Sequence, residues 1–372
     1  MGIRAWAVLK AAPLFLARWL LYSVLGLVTL FTDPFGLSAA TDKASADVIY
    51  RITAPFYRSE AQGAITLVLI DGRDVRELHR LGILQTNEWP LRYSDWRTVL
   101  RAIDGFKPEA VFLDVLFERE RTTDPTLPSL LNYLERSANT RPLYIAGGQP
   151  PYSAPLQEKL AANASLVGTG WQGGYDGIPL TQEDKPMAAL SLYRHACMDA
   201  GALGCTQSAE WTQRQSALDP LSVRWGSEPR LRLTAQLQGF SPETFCTNAA
   251  GGVMATFRLF YRSLLNGVIP EDKGTGDAPC LYHQAIPLQA IFHIIDDGTE
   301  RERQALRDAL ENRLVLVGTS FEGLPDRVDT PVLGQVPGVA LHAMMLDNLM
   351  AYGSNYLRQP RENQNNDVIR KV

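Results

Sequence analysis

Residues 65–70 read ITLVLI and run into Asp71-Gly72; residues 110–113 read AVFL and run into Asp114; residues 314–317 read LVLV and run into Gly318-Thr319. Each run is short, unbroken, apolar and closed by an acidic residue or a glycine, and the first is rich in β-branched residues. Such runs suit strands buried on both faces, which is the environment of a parallel sheet. Between the first two lies a helical pattern. Trp96, Val99, Leu100 and Ile103 form an apolar stripe, Ser94 stands at its start as a candidate cap, and Gly105 and Pro108 stand at its end. A second stripe, Leu127, Leu130, Leu131 and Leu134, leads to a further strand at 142–146. The alternation β-α-β-α-β predicts an α/β fold with a mainly parallel sheet and helices on both faces.

Working outward, Ser165–Gly168 reads as another strand and Ala188–Met198 as a helix. From 197 to 287 the pattern weakens, and this stretch is expected to be an irregular insertion. Regularity returns with a helix capped by Thr299, the 314–317 strand, and a last helix over Val339–Tyr352 closed by Gly353. Residues 361–372 form a polar tail. The sequence divides into 1–40 (cytoplasmic N-terminus and membrane segment), 41–360 (the folded domain) and the tail.

The N-terminal segment sets the expected compartment. Residues 14–31, LFLARWLLYSVLGLVTLF, are apolar except for Arg18. A spanning helix needs ~20 such residues, so Arg18 must snorkel for this segment to reach across. Basic residues precede the run, and Asp33, Asp42 and Asp47 follow it. The bias predicts a single-pass inner-membrane anchor with the bulk of the chain in a bacterial periplasm. A cleaved signal peptide ending near Ser38-Ala39-Ala40 is the alternative, and it also exports the chain. Residues 42–57, with Val48, Ile49, Ile52 and Phe56 at near-helical spacing, read as a helix leaving the membrane.

The 372-residue chain carries four cysteines: Cys197, Cys205, Cys246 and Cys280. An oxidising compartment favours disulfides, with 197–205 and 246–280 the preferred pairing among three. No C-x-x-C spacing occurs, which leaves a zinc or thiol-redox site without support. The net charge of −4 gives no electrostatic footing for nucleic acid. G-x-S-x-G, H-E-x-x-H and G-x-x-x-x-G-K-[ST] are all absent. No cofactor and no metal is predicted, and an enzyme is not the expectation.

Taken in order, four blocks resemble the CHASE2 domain family: Leu67-Val68-Leu69-Ile70-Asp71; Trp89-Pro90-Leu91-Arg92; Val111-Phe112-Leu113-Asp114 with Phe117; and Val315-Leu316-Val317-Gly318-Thr319-Ser320 with Asp326, Thr330-Pro331, Pro337-Gly338-Val339 and His342-Ala343. The resemblance implies an extracytoplasmic sensor of bacterial receptors. Such domains are usually followed by transmembrane helices and an output module. This sequence stops at Val372 with no further apolar span after Gly353, which implies either a fragment of a receptor or a sensor that works through a separate partner.

Ligands of open α/β sheets bind beyond the carboxyl ends of the strands. Asp71 and Asp114 end two strands expected to be neighbours, Arg92 stands at the same mouth, and Asp326 follows the Gly318-Thr319 turn. These four form the predicted site for a small molecule or ion. The structural alternative makes each Asp a helix cap or turn residue, Arg92 an internal ion-pair partner, and Trp89 a packing residue. His342, on an apolar helix, reads as a core histidine with a pH-sensing role as the alternative. The expected function is a sensor that binds ligand and relays a signal as a homodimer or through a separate signalling partner. An exported hydrolase using Asp71 and Asp114, or a structural envelope protein, are the competing classes.

Overall fold

The computed structural model describes residues 19–25, 46–138, 140–150, 154–171, 175–199, 201–214, 218–228, 280–321 and 326–358. Its centre is a parallel sheet. The strands are β1 (Ile65–Ile70), β2 (Ala110–Asp114), β3 (Leu143–Gly148), β4 (Ser165–Gly168), β7 (Gln284–Pro287) and β8 (Leu314–Thr319), in the order β4-β3-β2-β8-β1-β7. Two small antiparallel hairpins stand outside it, β5 (Thr181–Gln182) with β6 (Lys185–Pro186) and β9 (Arg327–Thr330) with β10 (Gly334–Pro337).

Residue alternation along the strands divides the core in two. Ile65, Leu67, Ala110, Phe112, Leu314 and Leu316 face one layer, with α5 (Ala188–Ala196) and α8 (Gly338–Tyr352). Val68, Ile70, Val111, Leu113, Val315 and Val317 face the other. That layer holds α1 (Gly72–Arg80), α2 (Tyr93–Asp104), α3 (Leu127–Ser137), α4 (Pro155–Ala161), α6 (Leu288–Asp297) and α7 (Glu300–Leu310). The unbroken apolar runs are thereby explained, because each central strand needs apolar side chains on both sides.

Three expectations change. The strands ending in Asp71 and Asp114 are not neighbours. The C-terminal strand β8 lies between them and pairs with both, Ile70 with Thr319 and Asp114 with Gly318. Sequence order cannot show this, because a late strand inserts centrally only when the tertiary fold brings it home. The stretch read as insertion up to 287 ends in the edge strand β7, paired with β1 through Thr66–Gln284 to Leu69–Pro287; a four-residue strand with a proline carries little periodic signal. Ser94 is not the cap of α2: Arg92 holds that position, and Asp95 turns back to accept the Arg92 backbone N–H at 3.3 Å. Elsewhere the caps agree. Thr299 and Glu302 form a reciprocal capping box on α7.

Helix α8 is buried nearly all round, which marks a core helix rather than a surface one. Residues 201–214 and 218–228 are largely irregular and meet its C-terminal half. Thr206 and Arg224 hydrogen-bond its C-terminal half, through the Met350 carbonyl and the Asn348 side chain. Cys197 and Cys205 form a disulfide that pins the start of this stretch. Cys280 is also disulfide-bonded, and Cys246 lies outside the described residues. By the loop-entropy argument, closing a separation of 8 residues contributes about 2.5 kcal/mol. Cys197→Ser with Cys205→Ser is expected to cost that much in urea unfolding, and an unchanged midpoint would count against it.

The helix at 46–53 and the short Ala54–Phe56 turn precede β1. Among the described residues no helix is long and apolar enough to cross a membrane. Of the predicted anchor at 14–31, only 19–25 lie within the described residues, and these are helical.

Candidate functional site

The carboxyl edge of the sheet brings together two carboxylates and one imidazole. Asp114 is the last residue of β2. Asp326 precedes β9 and accepts the Thr319 hydroxyl at 3.2 Å, so β8 holds it in place. His342 lies in the second turn of α8, with Nε2 3.9 Å from Asp114 Oδ2 and its ring edge-on to Phe112 at 5.4 Å. The His342 and Asp114 side chains are 9% and 10% exposed, and neither Asp114 Oδ2 nor His342 Nδ1 has a hydrogen-bond partner. Buried polar atoms in native proteins are nearly always paired, so two orphans in one cluster are unusual.

Two glycines make the approach possible. A Cβ on Gly318 would meet the Val339 side chain at 2.5 Å, so β8 and α8 can close only with glycine there. A Cβ on Gly338 would stand 2.1 Å from Asp326 Oδ1. Its absence lets the carboxylate lie at the N-terminus of the helix, where the Gly338 N–H donates to the Asp326 carbonyl at 3.1 Å.

Burial decides the electrostatics. It pushes the Asp114 carboxyl up to about 7. Asp326 is also pushed up to about 7, by burial first and by the Asp114 charge second. Burial pulls the His342 imidazole down to about 4, against the attraction of Asp326. At neutral pH the histidine is therefore uncharged, and the two carboxyls have no fixed cation to balance them. Arg327, next in the chain, reaches the Gln335 carbonyl.

The other two predicted residues serve local structure. Asp71 is the N-cap of α1, accepting the backbone N–H groups of Arg73 and Asp74 at 2.7 and 2.8 Å. Asp74 completes that capping box and also accepts the Gln289 N–H, tying α1 to α6. Arg92 gives its backbone to the α2 cap, and its side chain is exposed. Asp71 and Arg92 thus stand outside the cluster of Asp114 and Asp326. Trp89 packs against Trp96 and Phe321. The member the four-residue set left out is His342, together with Thr319. Both lay in the C-terminal block with Asp326 and Gly338, and that clustering was the available signal.

At the far end of α8 lies a second buried polar group. Asp347 accepts the Tyr57 hydroxyl and lies 3.2 Å from His283 Nε2; Asn348 donates to Tyr57 at 3.1 Å and to the Arg224 carbonyl at 3.0 Å. Tyr57 also lies against the Tyr352 ring, at 6.2 Å. One helix therefore touches the strand-end cluster at its start and the segment following helix 46–53 at its end.

The CHASE2 domain profile covers residues 22–367. The chain belongs to the CHASE2 domain family. CHASE2 domains are extracytoplasmic and sensory rather than catalytic. No curated protein and no solved structure matches the chain.

Proposed function

We propose that this CHASE2 chain is a membrane-anchored sensor that binds a small ligand or ion at the strand-end cluster of Asp114, Asp326 and His342 and relays the event along α8. The observation that carries this reading is the pair of orphaned, buried polar atoms, Asp114 Oδ2 and His342 Nδ1, where β2 meets the helix. A site that leaves groups unpaired when empty gains most when a ligand pairs them. The segment 14–31 would hold the domain at the bacterial inner membrane, with the folded part in the periplasm. Ligand would bias the packing of α8 against Tyr57 and the helix at 46–53, and so against the membrane segment. The signal would pass to a membrane or cytoplasmic partner, with a homodimer as the simplest assembly. A ligand moves such an equilibrium only by its difference in affinity for the two packings.

The test is thermal unfolding of the full chain against calcium, magnesium, zinc and spermidine, each alone, and against pH. A ligand at 100 times its dissociation constant adds about 2.7 kcal/mol to stability. At least one of these should raise the melting temperature, and Asp114→Ala should remove the rise. If none of them, pH included, acts through Asp114, the reading fails.

A further inference from the structure

We infer that the ion read by the Asp114–Asp326–His342 cluster is the proton, so that the domain senses acidity outside the cytoplasm. This rests on the ligand-site reading above and gives its ligand a chemical class. The first argument is geometric. Asp114 Oδ2 and His342 Nε2 face each other at 3.9 Å, roughly 1 Å beyond an ordinary N···O hydrogen bond. With both carboxyls ionised, a neutral imidazole can pair Asp114 Oδ2 only through its Nε2–H tautomer, and that bond leaves two buried negative charges without a cation. A proton taken from solvent onto Asp114 Oδ2 creates an O–H donor aimed at a neutral ring nitrogen. A slight inward shift of α8 then completes the bond. Release of that proton returns a bare carboxylate beside Asp326, and the two like charges oppose the closed packing.

The second argument is room. Phe112 covers the imidazole edge-on, and the Gly338 backbone stands against Asp326 with no space for even a methyl group. The smallest cation fits this packing with the least disturbance.

The third argument is the surrounding charge. Among the described residues, β2 supplies Asp114, the loop before β9 supplies Asp326, and β8 supplies only the Thr319 hydroxyl. On α5, which packs along α8, Arg194 bonds Thr212 and His195 faces Glu109. Arg327 is held by Gln335, and Asp347, lower on α8, is held by Tyr57 and His283. Neither Lys nor Arg is engaged with the cluster in any contact seen here, so proton occupancy sets its charge. The burial effects on Asp114 and Asp326 point the same way, since both move toward neutral pH.

Amide hydrogen exchange of the full chain from pH 5 to 8.5, corrected for the intrinsic rate, tests the idea. Protection of residues 338–346 should fall ~tenfold as pH rises through the window, while residues 65–70 stay level. Asp114→Asn should abolish this transition, and Asp326→Asn should move its midpoint downward. Should Asp114→Asn not fold, His342→Gln with Asp326→Asn takes its place, and at least one must displace the transition. Protection that is flat with pH, or a transition untouched by these variants, overturns the proton assignment. If calcium, magnesium, zinc or spermidine then still stabilises the protein through Asp114, the binding site stands and only the proton is wrong. If none does, both fall.

Discussion

Asp114→Asn is expected to raise stability at pH 8 by on the order of 3 kcal/mol and to leave it nearly unchanged at pH 4. The sign follows from the direction of each shift. Asp114 has a folded-state pKa raised to about 7 by burial. Its favourable contribution is therefore complete below the unfolded value of 3.8 and is lost as pH rises through about 7. Asp326, raised by burial and by Asp114, acts in the same sense. His342 acts oppositely. Its imidazole is lowered to about 4, so its contribution is present above 6.5 and is lost as pH falls toward 4. Between pH 4 and 7 the two effects oppose one another, whereas above 7 only the buried carboxylates remain costly. An amide at 114 removes one such charge and relieves Asp326 of its neighbour. Urea unfolding of wild type and variant at pH 4, 6 and 8 gives the comparison. A variant less stable than wild type at pH 8 would mean that the ionised Asp114 is well paired, contrary to its orphaned Oδ2.

Asp347→Ala should have the largest destabilising effect of any single change at the other end of α8. The residue is fully buried and serves two partners at once, Tyr57 and His283. Truncation leaves both without it in a region closed to water. Breaking a buried polar pair from one side costs about 3 kcal/mol. For a domain of this size, with an unfolding entropy of about 2.1 cal/mol/K per residue, that is a melting-temperature fall of roughly 4–5 °C. Asp347→Asn should lose less, because an amide oxygen still accepts from Tyr57. Because Tyr57 follows the helix at 46–53, the same change should also speed amide exchange in residues 46–57. A fall of less than about 1 kcal/mol for Asp347→Ala would remove the network from any account of how α8 grips that segment.

Much of the fold was legible in the sequence because its causes are local. The runs at 65–70, 110–113 and 314–317 could be read as buried parallel strands, since two-sided burial demands unbroken apolar side chains. Gly353 and Thr299 marked helix ends by backbone and capping chemistry alone. The edge strand at 284–287 and the β9–β10 hairpin were not legible, being too short for periodicity to develop.

The candidate site divides along the same line. The sequence by itself determined an α/β sheet with acids at its strand ends and the family to which it belongs, and it favoured a disulfide between Cys197 and Cys205 among three pairings. Tertiary structure alone decided which acids meet. It placed β8 between β1 and β2, left Asp71 to cap α1, and brought Asp114 to Asp326 and His342 from a distant part of the chain. The physical reason is that capping is settled within four residues, whereas convergence depends on strand order and on how closely α8 can approach the sheet, which the glycines at 318 and 338 allow.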